Sequence, residues 1–170
     1  EAAPAVIKRY LSAYGPATPE TFDAWLSRNS NKKSTLRSWF ASLGEQIVEV
    51  RVEGETRYLL AEHEDELAAT RPSRATHLLG AFDQFVLGPG TKDTHMLAHE
   101  HRPLVSKAAG WIAPVLTQVG RITGVWEMDD GNLVVTPFPG EQAPPSQVLE
   151  DAAARLTAVH GSVKVTPRVD

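Results

Sequence analysis

The sequence predicts an α+β protein: a helical N-terminal module closed by a strand hairpin, a β-rich segment after it, and a helix near the C-terminus. Three observations carry this. Apolar residues recur at helical spacing three times before residue 44. Two strand-like runs then flank Glu53-Gly54. Beyond residue 110, short apolar runs alternate with Gly- and Asp-containing turns.

The first helix is AVIKRYLSAY at 5–14, with Val6, Ile7, Tyr10, Leu11 and Tyr14 in one stripe and Gly15-Pro16 as its stop. Thr18 is a good N-cap, and Pro19 suits the first position of a short second helix whose stripe is Phe22, Trp25 and Leu26. Ser27-Arg28-Asn29-Ser30-Asn31 is a polar turn. The third helix places Leu36, Trp39, Phe40 and Leu43 on one face and ends near Gly44. Ile47 to Val52 and Thr56 to Leu60 read as two strands joined at Glu53-Gly54. Helix, helix, helix, strand, turn, strand is the order of a winged helix-turn-helix, with the third helix as the recognition element and the hairpin as the wing.

That arrangement selects candidate contacts for double-stranded DNA. Lys32, Lys33, Ser34, Arg37, Ser38 and Ala41 lie at or along the face opposite the apolar stripe, and Arg51 and Arg57 flank the wing tip. Arg can take guanine edges through two hydrogen bonds, while Lys and Ser suit phosphates. Two features count against it. The net charge is −4, where phosphate binding calls for a basic surface. The wing tip itself carries Glu53 and Glu55. The alternative is a winged-helix module for protein–protein assembly or transcription regulation.

Residues 62–75 are charged and end in Thr70-Arg71-Pro72-Ser73-Arg74, which reads as a linker and divides the chain into domains at 1–70 and 71–170. After it, His77-Leu78-Leu79 and Phe85-Val86-Leu87 are apolar runs around Asp83, closed by Gly88-Pro89-Gly90. Residues 111–119 suit a strand, with Gly120-Arg121 as a turn. Ile122 to Met128 and Leu133 to Phe138 suit strands joined by Asp129-Asp130-Gly131-Asn132. The expectation is an antiparallel meander or small barrel. Pro144-Pro145-Ser146 opens a final helix with Val148, Leu149, Ala152, Leu156 and Val159 inward and Gly161 as its stop; Val163 and Val165 suggest a last strand.

There is no cysteine, which removes disulfides, thiolate nucleophiles and cysteine-held zinc, and is compatible with a cytoplasmic location. No apolar run reaches the ~20 residues of a membrane span, and no signal-peptide pattern is visible. Glu1 stands where a chain usually has Met and runs almost directly into a helix, so a longer parent protein is expected.

Three stretches carry a resemblance. LLGAFDQFVLGPG at 78–90 resembles a phenylalanine-aspartate signature followed by an apolar strand. GWIAPVLTQVGRITGVWE at 110–127 resembles a strand, a Gly-Arg turn and a Gly-Val-Trp strand. With RYLSAYGPATPETFDAWL at 9–26, they resemble the C-terminal half of the winged-helix DNA-binding family that includes the AlkZ-like DNA glycosylases. The resemblance implies members about twice this length, with stacked winged-helix modules and a small β-barrel around a DNA-sized channel. It implies that some excise alkylated bases and unhook interstrand crosslinks through a Gln-apolar-Gln or Gln-apolar-Asp motif in an N-terminal part absent here. Gln84-Phe85-Val86 does not match that motif, so the catalytic residues stay unassigned and the chain is expected to hold scaffold and DNA-contact surface.

Other constellations are weaker. His95 and His99 would share a helix face in THMLAHEHR, but no H-E-x-x-H is present and Pro103 limits the helix, so a solvated segment without metal or other cofactor is expected. Asp83 lies in an apolar run and needs a partner if buried; Arg102, Lys107 or Arg121 could supply one. Asp129 and Asp130 are explained by their turn. An independent hydrolase is disfavoured because no G-x-S-x-G or Gly-rich phosphate loop occurs.

Overall fold

The structure is a computed structural model, and it describes residues 2–130, 132–160 and 167–169. It forms two compact units, residues 1–71 with 87–90 and residues 72–86 with 91–170.

The first unit starts with helices α1 (Ala2–Tyr14), α2 (Pro19–Ser27) and α3 (Lys33–Ala41), followed by strands β1 (Ile47–Val52) and β2 (Glu55–Leu60). Its core gathers Ile7, Tyr10 and Leu11 of α1, Phe22 of α2, Leu36 and Phe40 of α3, and Leu43 and Leu60. Aromatic edges join these layers: the Phe22 and Phe40 rings stand 5.8 Å apart at 73°, a favoured geometry for ring quadrupoles. The hairpin turn is a two-residue loop with Glu53 at φ 48 and Gly54 at φ 91. Both residues have positive φ, as a type I′ turn requires, which is why glycine serves at the second position. Ala17 pairs antiparallel with Tyr58, exchanging hydrogen bonds of 3.0 and 2.8 Å. The α1–α2 connector therefore runs alongside β2.

The charged stretch after β2 is not a bare linker. It turns once through Ala61–His63 and forms a short helix α4 (Glu64–Ala69), which ends at an extended Thr70. Three acids in its first turn, Glu64, Asp65 and Glu66, complement the positive end of the helix dipole.

The second unit holds β3 (Thr76–Leu79), α5 (Gln84–Leu87) except its last residue, α6 (Arg102–Val105), β4 (Val115–Gln118), β5 (Arg121–Asp129), β6 (Asn132–Pro137), α7 (Ser146–His160) and β7 (Pro167–Val169). Strands β3 to β6 pair antiparallel in sequence order, and β7 adds in parallel to β6. Among the described residues the sheet is thus a meander with one parallel strand. Leu78, Leu116, Leu133 and Val135 bury against Leu149, Ala152 and Ala153 of α7. Glycine is required at 124 because a Cβ there would stand 2.6 Å from the Thr136 carbonyl oxygen.

Three sequence expectations are corrected here. The run at 85–87 is not a strand: it lies in the single helical turn α5, started by the Asp83 carboxylate accepting from the Phe85 N–H at 2.8 Å. The strand expected over 111–119 shortens to Val115–Gln118, and its turn is Val119-Gly120, at φ 52 and 77. In α2 the buried positions are Phe22 and Asp23, while Trp25 and Leu26 remain 41% and 44% exposed. Val159, Gly161, Val163 and Val165 lie outside the residues whose side chains or backbone are described.

Candidate nucleic-acid interface

The candidate interface starts at the front of α2. The Thr18 side chain accepts from the Thr21 N–H at 3.1 Å, and the Thr21 hydroxyl oxygen accepts from the Thr18 N–H at 3.0 Å. This reciprocal cap, with Pro19 following, fixes where α2 begins.

The turn into α3 is held by one buried carboxylate. Asp23 is 2% exposed. It accepts from the Ser27 hydroxyl at 2.5 Å, the Asn31 amide side chain at 2.6 Å and the Asn31 backbone N–H at 3.2 Å. Asn31 also donates to Ser27 Oγ at 2.9 Å. Burial pushes the Asp23 carboxyl up, but the hydrogen bonds from Ser27 and Asn31 outweigh it and hold it below the ordinary value of 3.8. The clamp sets the path between the helices through two left-handed residues, Arg28 at φ 57 and Asn29 at φ 65. Sequence reading missed it. Its signal was available: Asp23, Ser27 and Asn31 are hydrogen-bonding residues spaced four apart from a helix into a turn.

On α3, Leu36 and Phe40 point into the core. Lys33, Ser34, Arg37, Ser38 and Ala41 are all exposed, as is Lys32 just ahead of the helix. Among the described residues no acidic side chain pairs with Lys32, Lys33 or Arg37. The preceding turn adds exposed Arg28. An open groove of about 460 Å³ runs beside this face, with Arg37 and Ala41 among its α3 residues and Ile47, Glu49 and Tyr58 from the hairpin. Burial raises the Tyr58 phenol above its usual value, helped by the charge of Glu49, a hydrogen bond to it and the charge of Glu20. The phenol donates to Glu49 at 3.3 Å. The groove is therefore cationic at α3 and anionic at the hairpin.

The hairpin does not deliver both expected arginines. Arg51 is exposed and donates to the Thr56 hydroxyl at 3.0 Å. Arg57 is buried, and its guanidinium reaches Glu55 at 3.3 Å and the Pro16 carbonyl at 3.5 Å. The expectation that Arg57 faces a phosphate fails for a physical reason: its guanidinium is turned to the Glu55 carboxylate and the Pro16 carbonyl of the α1–α2 connector and is buried there.

The remaining candidates also resolve. Asp83 is half-buried and satisfied by a backbone N–H rather than by Arg102, Lys107 or Arg121. His95 and His99 do not share a helix: His95 sits in a turn and His99 in a separate 3-10 turn, His99–His101. His101 stacks on Phe138 with centroids 4.6 Å apart. No group of three His, Asp or Glu side chains among the described residues is placed to hold a metal. No helix among them is long and apolar enough to cross a membrane.

Residues 1–159 match the family described as DNA glycosylase AlkZ-like. The chain belongs to that family. It is 54% identical over 169 residues to an interstrand DNA cross-link repair glycosylase of Streptomyces sahachiroi, a match that takes in 99% of this chain and 46% of that protein. The solved structure of the Streptomyces sahachiroi DNA glycosylase AlkZ is similar with a TM-score of 0.97 at 53% identity, again over 99% of this chain and 46% of that one. The chain thus spans just under half the length of these two relatives, and its mixed helix–sheet architecture is shared with that solved structure over this span.

Proposed function

We propose that this chain is the DNA-contact part of a DNA-repair glycosylase, with its first unit working as a winged helix-turn-helix on double-stranded DNA. The observation that carries the reading is the α3 face. Lys32, Lys33 and Arg37 are exposed beside Ser34 and Ser38, without acidic partners among the described residues, in a member of a DNA glycosylase family. Arg37 serves base edges or phosphate, Lys32 and Lys33 serve phosphates, and the serines donate to backbone oxygens. Arg51 adds a contact from the wing; Arg57 does not.

The chemical step belongs to residues this chain does not carry. The glutamine motif implied by the family resemblance is absent from the sequence. In this reading the 170 residues work with a further, N-terminal portion of a longer protein, at the cell's DNA.

The test is a base-release assay on a duplex carrying 7-methylguanine, run beside a duplex-binding titration. The expected outcome is binding without base release. Robust release by this chain would overturn the assignment of chemistry elsewhere, and an absence of duplex binding at low salt would overturn the DNA-contact role. A protein-docking role is favoured by one feature, the exposed Trp25 and Leu26 on α2, and it becomes the better reading if duplex binding fails.

A further inference from the structure

The second unit contains a cleft of about 210 Å³ lined by Thr91, Lys92, Thr94, Leu97, His99 and Arg102. Its polar chemistry is one-sided. Two cations and an imidazole face it with two hydroxyls, and none of its lining residues is acidic. Among the described residues Lys92, His99 and Arg102 have no acidic partner.

The cleft is built in advance of any ligand. Arg102 Nε donates to the Thr91 hydroxyl oxygen at 3.2 Å, which fixes the plane of the guanidinium. Among the described residues its two terminal nitrogens, the hydroxyl proton of Thr91 and the Lys92 ammonium remain unspent. The segment beneath is anchored to the sheet: the Ile122 N–H donates to the Met96 carbonyl at 2.8 Å, and Arg121 Nη2 donates to the Thr94 carbonyl at 3.2 Å. Met96, Leu97 and Val105 are buried below. A half-buried arginine fork beside a lysine and hydroxyls matches a tetrahedral oxyanion, because the fork can supply two parallel N–H bonds to one phosphate.

We infer that this cleft binds a phosphodiester group of the DNA backbone, a contact made by the second unit separately from the α3 face. The inference rests on the DNA-contact reading for its choice of anion. Lys92, Thr94 and His99 are exposed, so the cleft is open to an extended polymer. Glu100, exposed on the same 3-10 turn as His99, is not among the residues lining the cleft. The segment that the histidine spacing offered as a metal candidate thus finds its use as an anion seat.

The test compares Lys92→Ala and Arg102→Gln with the unaltered chain in duplex titrations across salt, with melting curves as the fold control. Lys92 is exposed, so its variant keeps the test valid if the arginine variant misfolds. Each neutralised phosphate contributes about 0.9 to the slope of log affinity against log salt. The expected result is a slope shallower by about one in either variant. An unchanged slope in a folded Lys92→Ala overturns the inference while leaving the α3 reading intact. If the unaltered chain binds no duplex, the function reading falls, and a titration with inorganic phosphate decides the cleft. Amide shifts confined to residues 91–102 retain it as a phosphate seat, and no shifts there reject it.

Discussion

The outer face of α3 and the β1–β2 hairpin both carry basic side chains, yet they use them differently. On α3 the cations Lys33 and Arg37 stand exposed without acidic partners among the described residues. On the hairpin, Arg57 is buried and engaged with Glu55 and Pro16, and only Arg51 stays exposed, giving one hydrogen bond to Thr56. The difference teaches that a basic residue marks an interface only where the fold leaves it unspent. A helix with one apolar stripe turns its opposite side outward. A strand turns alternate residues to each face, and a neighbouring segment can cover either.

The largest expected effect breaks the platform under both regions. Phe40 is 2% exposed and its ring meets Phe22 and Tyr58. Phe40→Ala should cost ~3–5 kcal/mol of stability, read from thermal or denaturant unfolding, because the helix and hairpin share this filler. A loss below about 1 kcal/mol would mean that α3 does not lean on that core.

Next comes the clamp that aims α3. Asp23→Ala strips the acceptor from three hydrogen-bond donors and should cost about 2–3 kcal/mol. The sign of its pH dependence follows from the lowered carboxyl. The contribution is present above the ordinary value of 3.8 and is lost as pH falls through the lower folded value. Acid unfolding of the unaltered chain against Asp23→Asn should show the stability gap closing below about pH 4. A gap that is constant with pH contradicts the charged clamp.

Arg57→Ala sharpens the contrast directly. It should cost about 1–2 kcal/mol of stability, mainly through lost packing and the bond to Pro16. The Glu55 side chain is 60% exposed, so the ion pair itself adds little. Duplex affinity should not change. Smallest in stability is Arg37→Ala, an exposed change expected to move melting by no more than ~0.5 kcal/mol.

Much of this was legible in the sequence, for identifiable reasons. Thr18-Pro19 announces the start of α2, and Glu53-Gly54 announces the hairpin, because caps and tight turns depend on one or two residues. The α3 face followed from period alone. Arg57 was misplaced although β1 and β2 held the clue. Arg57 pairs with Val50, and the neighbouring pairs Val48–Leu59 and Val52–Glu55 share its face, so it belongs to a largely apolar side. What no local pattern could supply was the approach of the α1–α2 connector, whose Pro16 carbonyl accepts from the Arg57 guanidinium. The single turn α5 escaped for a similar reason: a run of Phe-Val-Leu suits strand or helix equally, and the Asp83 cap decides.

The most direct measurement is a fluorescence titration of one duplex with the unaltered chain, Arg37→Ala and Arg57→Ala, each across a salt series. Binding should be tightest at low salt and fall linearly in the log–log plot. Arg37→Ala should lose ~1–3 kcal/mol of affinity, and folded Arg57→Ala should track the unaltered chain. Equal losses in both variants, or no loss in Arg37→Ala, would contradict the claim that α3 rather than the hairpin core arginine meets DNA.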